Sequence, residues 1–306
     1  VMPRKAFRLL PLLMLPLIAA QTTPPAPKVL LIGLDGVRAD ILAQAATPNI
    51  DALAAGGGLA LDARTRPNTV SGPGWSSMLI GVWMEKHGVE GNQFGDNAYD
   101  RYPDFLTRIE QVRPDLSTLA VMDWPPLGTR QDGGPLVSHL VDLKVNLNGD
   151  TIGYPEADRR STAIAASLLA SEPVDAAFVY LGNIDVAGHD TSSLAPEYRD
   201  AIEAADAQVG TLVAALRSRP DFDREDWLVL MSTDHGRSDD GGHGGESEEE
   251  LTIFYLASRL DGRPVQLEPT SWLVDVAVTA LAHLGIEIDP AWGLDGRANG
   301  IGDTGR

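Results

Sequence analysis

The chain has 306 residues, a formal net charge of −19, 43% hydrophobic and 22% charged residues, and no cysteine. That length and balance suit one large domain or two small ones with a real core, and argue against disorder. Without thiols, disulfides, thiolate metal sites and a cysteine nucleophile are excluded, and the acidic excess argues against duplex nucleic-acid binding.

In chain order, Arg4, Lys5 and Arg8 open a positive start, Leu9 to Ala20 is apolar, and Ala19 and Ala20 offer small residues for cleavage. Residues 1–20 therefore read as an export signal. The run is short for a bilayer and broken by prolines, so no stable membrane anchor is expected after processing. An exported chain without cysteines fits a periplasmic or secreted protein. Residues 21–27 read as a Pro-rich linker. Residues 28–306 read as a single α/β domain.

Lys28 to Leu34 is a continuous apolar run followed by Asp35-Gly36, a pattern that predicts a buried strand ending in a turn. Thr47-Pro48 opens a helical pattern that stops at Gly56. A Gly-rich turn at Ser71 leads into a short apolar helix, Trp75 to Ile80. Further strands are predicted at Leu116 to Met122, Ala176 to Leu181, Leu228 to Ser232 and Leu251 to Ala257. Helices are predicted at Asp104 to Val112, Asp158 to Ser171, Pro196 to Ser218 and Leu273 to Leu284. Strands apolar on both faces and alternating with helices predict a mostly parallel central sheet covered by helices on both faces. Ligands of such sheets sit beyond the carboxyl ends of the strands.

Residues with chemistry fall at those ends. Asp35 follows the first strand, where it could equally cap the next turn. Asp185 and His189 are four apart, on one face of a helical turn, as many surface pairs are. Asp234 and His235 end a strand, and Gly236 permits the bend that lets adjacent side chains converge. His243 lies among glycines that let an imidazole swing inward, although a flexible loop has the same composition. Three of the six histidines lie in these pieces. With the three aspartates and a hydroxyl they suffice for two divalent metal ions, zinc being preferred for histidine-rich sets. Ser71 is the candidate nucleophile, at a turn where a helix start offers backbone N–H groups to an anion. Its other reading is a helix cap.

These pieces resemble the alkaline phosphatase superfamily, and most closely its nucleotide pyrophosphatase/phosphodiesterase branch. The motifs run in the family's order: LIGLDGVRAD at 31–40, TPNIDALAAGG at 47–57, SGPGWSSMLIGVWMEKHGV at 71–89, NIDVAGH at 183–189, STDHG at 232–236 and GGHGG at 241–245. The resemblance implies an alkaline-phosphatase-like core. It implies one zinc held by Asp35, Ser71, Asp234 and His235, and a second held by Asp185, His189 and His243. Asn92 stands where the branch has an Asn that helps bind a phosphoryl oxygen. The implied activity is hydrolysis of a small phosphoester, diester, pyrophosphate-type or monoester, through a phosphoseryl intermediate, with Asn92 and backbone N–H groups holding the non-bridging oxygens.

Departures from the branch are also legible. It often uses Thr as nucleophile, and Thr69 is the fallback here. It normally carries a long cap insertion before its last His, where this chain has only a short Gly- and Asp-rich loop. A sulfatase is the main rival, but Trp75 stands where a sulfatase has Arg. A phosphotransferase and a non-catalytic metal-binding exported protein are the others. Oligomeric state leaves no mark on the sequence.

Overall fold

The computed structural model describes residues 24–130 and 133–301, so the expected export signal lies outside the described residues. Seven strands form one sheet: β1 (Ala26–Leu34), β2 (Gly58–Arg64), β3 (Thr118–Met122), β4 (Leu143–Asn146), β5 (Ala176–Leu181), β6 (Glu225–Ser232) and β7 (Thr252–Arg259). Their order across the sheet is β2-β7-β6-β1-β5-β3-β4. From β6 to β4 every pairing is parallel, and β7 runs antiparallel to both its neighbours. The expected mostly parallel α/β sheet is the one observed.

The apolar run of β1 becomes a central strand because alternate side chains enter two different cores. Val29 and Leu31 face Trp75, Phe178 and the helices Ser71–Ile80, Phe105–Val112 and Asp275–His283. Leu30, Ile32 and Leu34 face the helices Pro48–Gly56, Tyr154–Ser171, Asn183–Asp190 and Pro196–Arg217. Each of these strand side chains is fully buried, worth about 1.5–3 kcal/mol apiece against exposure. A strand buried on both faces has no polar face to alternate with.

Two strands have no counterpart among the predicted elements. β2 is an edge strand with a register irregularity between Ala60 and Ala63, and β4 has four residues, none fully buried. Neither carries enough apolar periodicity to stand out. β1 also begins earlier than its composition suggests, since Ala26 and Pro27 of the expected linker pair with Glu225 and Asp226. Proline is tolerated there, at the start of a strand.

The topology concentrates the carboxyl ends of three neighbouring strands. β1 is followed directly by Asp35, whose N–H donates to Leu181 O at the end of β5. β5 runs into the helix Asn183–Asp190, which carries Asp185 and His189. β6 is followed directly by Thr233, Asp234 and His235.

Candidate metal centre

Ser71 is the first residue of its helix, and its hydroxyl makes no capping bond. Ser71 Oγ instead lies 3.2 Å from His235 Nε2, so the helix-cap reading does not hold. Gly72 has no room for a side chain, because a Cβ there would fall 2.4 Å from Gly91 O. Its N–H donates to Asn92 Oδ1 at 2.8 Å, which places Asn92 beside Ser71. The expected set of free backbone donors is smaller than anticipated. Gly72 N–H is taken by Asn92, Pro73 has none, and Gly74 N–H donates to Val70 O. Thr69 is committed elsewhere: its hydroxyl donates to Gly245 O and accepts from Gly244 N–H, both at 2.9 Å.

Around His235 the acceptors outnumber the donors. His235 Nδ1 lies 2.9 Å from Gly236 O, a contact in which the nitrogen donates, so Nε2 is left with its lone pair. That lone pair is 3.7 Å from Asp35 Oδ1 and 3.4 Å from Asp234 Oδ2. Asp35 spends its other oxygen on Trp75 Nε1–H (2.9 Å) and Tyr180 O–H (2.7 Å). Asp234 spends its other oxygen on Gly36 N–H at 3.2 Å. Asp35 Oδ1 and Asp234 Oδ2 are thus buried without any hydrogen-bond partner. Gly236 serves this corner by its size rather than by backbone freedom, since a Cβ there would fall 1.9 Å from Glu249 O.

The second group is contiguous with the first. On the helix Asn183–Asp190, His189 Nε2 is 3.4 Å from Asp185 Oδ2. His243 Nε2 is 3.6 Å from Asp185 Oδ1 and 2.9 Å from His189 Nε2. His243 Nδ1 donates to Thr69 O at 2.8 Å, which again turns Nε2 inward. Gly241 and Gly244, with φ of +88° and +107°, flank the swing of this loop. Asp185, His189 and His243 offer ligand atoms within 4.8 Å of one another, and so do Asp35, Asp185 and His235. The imidazoles of His235 and His243 stack at 3.9 Å.

The charge state of this pocket calls for cations. Burial, reinforced by the negative charge of Asp185, pushes the Asp35 carboxyl up to about 7. Burial and then Asp35 and Asp185 push Asp234 well above the ordinary carboxylate range. Burial, with His243 beside it, holds His235 well below the ordinary imidazole range. Carboxylates crowded and buried together, beside imidazoles that resist protonation, are groups whose charge a bound cation would balance. The donor set of His nitrogens and carboxylate oxygens, with the two orphaned oxygens, fits divalent metal ions.

Three residues of this centre carry no local sequence signal. Trp75 and Tyr180 bracket Asp35, with ring centroids 5.0 Å apart, and Gly33 admits the indole, since a Cβ there would fall 2.4 Å from its ring. Trp75 is thus a hydrogen-bond partner of Asp35. Arg237 is fully buried and forms an ion pair with Asp185. Only the pairing of Trp75 with the Asp35 region in a folded sheet discloses its role.

A family model described as type I phosphodiesterase / nucleotide pyrophosphatase matches residues 29–141 and 128–240. The chain is 22% identical to human ectonucleotide pyrophosphatase/phosphodiesterase family member 7, over 68% of this chain and 47% of that protein. It is 25% identical to mouse bis(5′-adenosyl)-triphosphatase enpp4, over 69% of this chain and 47% of that protein. The chain thus spans about half the length of these curated relatives. Murine ectonucleotide pyrophosphatase/phosphodiesterase 5 has a similar fold, with a TM-score of 0.62 at 14% identity over 86% of this chain and 96% of that one. Another structure of that protein is of an inactive form in complex with AMP. A 2-O GAG sulfatase also shares the fold, with a TM-score of 0.64 at 15% identity over 86% of this chain and 72% of that one. By the span and order of the matched residues, the chain belongs to the type I phosphodiesterase / nucleotide pyrophosphatase family.

Proposed function

We propose that this protein hydrolyses small phosphoesters at a centre of two divalent metal ions, preferably zinc, through a phosphoseryl intermediate on Ser71. The observation that carries this reading is the meeting of Ser71 Oγ, His235 Nε2 and the two partnerless oxygens of Asp35 and Asp234 in one buried corner. Asp35, Asp234, His235 and Ser71 would hold one ion, and Asp185, His189 and His243 the other. Bound there, the ions would supply positive charge to the phosphoryl oxygens and lower the pKa of the hydroxyl and of water.

The chain's own groups do the rest. Ser71 Oγ, fixed at the first position of its helix, gives up its proton and attacks phosphorus as the bond to the leaving oxygen breaks, and the leaving oxygen takes up a proton from water. Water then cleaves the Ser71 Oγ–P bond and restores the hydroxyl. Asn92 is held by its carbonyl on Gly72 N–H, which leaves its Nδ2 donors for a phosphoryl oxygen. The positive end of the helix Ser71–Ile80, which starts at the nucleophile, would add to the attraction for the same oxygens. Trp75 and Tyr180 hold Asp35 so that only its Oδ1 turns toward the centre. Residues 1–20, as an export signal, would place the reaction outside the cytoplasm; among the described residues no helix is long and apolar enough to cross a membrane.

The test compares p-nitrophenyl phosphate with bis-p-nitrophenyl phosphate, with zinc, with a chelator, and for Ser71→Ala. Zinc-dependent release that is lost in Ser71→Ala is the expected result. Bound zinc without release from either substrate would overturn the reading.

A further inference from the structure

Arg237 is the one charged side chain of the centre that the proposed chemistry does not use. Its guanidinium is fully buried. Nη1 donates to Asp185 Oδ1, while Nε donates to Gly241 O at 2.9 Å and Nη2 to the same carbonyl. The slot is cut to its shape. A Cβ on Gly188 would fall 2.5 Å from Arg237 Nε, and one on Gly36 would fall 2.7 Å from Arg237 Nη1. A long cation has been admitted beside a carboxylate that belongs to both groups of candidate ligands.

This arrangement has two consequences. Asp185 Oδ1 accepts from Arg237, while Oδ2 has no such cation on it and lies 3.4 Å from His189 Nε2. Arg237 also offsets the charge of Asp185 from a buried position, so the centre is one unit less negative than its carboxylates alone would make it. A unit of positive charge attracts a doubly charged phosphoryl group more than a singly charged one. Arg237 is out of reach of solvent, so it acts through the field and through Asp185, as a positioning residue.

We propose that Arg237 biases the centre toward phosphoryl groups bearing two negative charges, phosphomonoesters, over singly charged diesters. This rests on the two-metal phosphoester reading above. The experiment uses Arg237→Gln, Arg237→Met and Arg237→Lys, each checked for zinc content by atomic emission. Two readouts are taken at pH 8. One is kcat/KM for p-nitrophenyl phosphate relative to bis-p-nitrophenyl phosphate. The other is calorimetric binding of inorganic phosphate relative to dimethyl phosphate by the zinc-loaded protein.

Both ratios should fall on the order of tenfold in the neutral variants, for a unit charge one side chain away at protein-like screening, and hold in Arg237→Lys. A purely structural role would depress both substrates together and would not be rescued by charge. Unchanged ratios in a neutral variant overturn the proposal, as does an equal fall in Arg237→Lys. Should the neutral variants fail to fold, the wild-type protein still decides, because equal affinity for phosphate and dimethyl phosphate overturns it. Absence of both zinc uptake and turnover in the wild type overturns the underlying reading and the proposal with it.

Discussion

Stripping the metal should leave a protein that is least stable where most proteins are comfortable, and Asp35→Asn should repair it. The Asp35 carboxyl is pushed from its ordinary 3.8 to about 7, by burial first and by Asp185 second. A carboxyl raised in the folded state contributes stability that is fully present below pH 3.8 and is lost as pH rises through 7. At 1.36 kcal/mol per unit, the shift from 3.8 to about 7 corresponds to about 4 kcal/mol. Asp234, raised by the same burial, acts with the same sign. The assay is urea unfolding of chelator-treated protein from pH 4 to 8, read by tryptophan fluorescence. The difference between wild type and Asp35→Asn isolates this group from the lowered surface carboxylates, whose slopes run the other way. The metal-free variant should exceed the metal-free wild type by about 4 kcal/mol at pH 8, or about 7 °C in Tm from the entropy scale per residue. Zinc should reverse the order, stabilising the wild type more. Parallel pH profiles for the two chelated proteins, or zinc without effect on the wild-type Tm, would refute the view that this pocket is built to hold cations.

Other perturbations test separate parts of the structure. Burial holds His87 down to about 4 from 6.5, so its stabilising contribution is present above pH 6.5 and lost as pH falls through 4. His87→Gln should remove about 3 kcal/mol of acid sensitivity, measured by urea unfolding between pH 7 and 4. Trp75→Phe deletes the donor to Asp35 Oδ2 and opens space beside Gly33. It should cost about 2–4 kcal/mol by denaturation and weaken zinc binding about tenfold or more by chelator competition. Asn92→Ala should lower kcat/KM on the order of a hundredfold with zinc content unchanged, if Asn92 serves the phosphoryl group as proposed.

How much of this was legible in the sequence depends on whether a residue's partners are local. The buried strands β1, β3, β5, β6 and β7 announce themselves because burial on two faces demands continuous apolar runs, and Pro196–Arg217 does so by its 3.6-residue period. β2 and β4 rely on neighbours for their pairing and have no such run. Asp185 and His189 are readable as a pair because a helical turn brings them together without help. The closeness of Asp35 to His235 is readable only through the rule that parallel strands deliver loops to one edge. Trp75 on Asp35 is separated by 40 residues and Tyr180 on Asp35 by 145, and no pattern within either segment foretells the contact. Arg237 is the extreme case, because the residue beside Asp234-His235-Gly236 resembles any loop arginine until Gly36 and Gly188 are seen to make room for it.

The short loop before His243 shows how the centre can dispense with a cap insertion. A loop rich in glycine loses much entropy on ordering, yet His243 must be held to within a fraction of an ångström to serve as a ligand. Anchors from several elements supply the constraint. Arg38 forms an ion pair with Asp239, Ser193 Oγ donates to Ser238 O, and Arg237 donates to Gly241 O. Beyond the histidine, Gly244 N–H meets Thr69 Oγ1 and Gly245 N–H donates to Glu250 Oε1. Each bond nets about 1 kcal/mol in isolation, and together they bracket His243 on both sides. An inserted cap would shape the space above such a centre without being needed to hold its ligands. Such an element would therefore bear on which substituents the phosphoryl group carries, while the ligand geometry stands on the loop's own anchors.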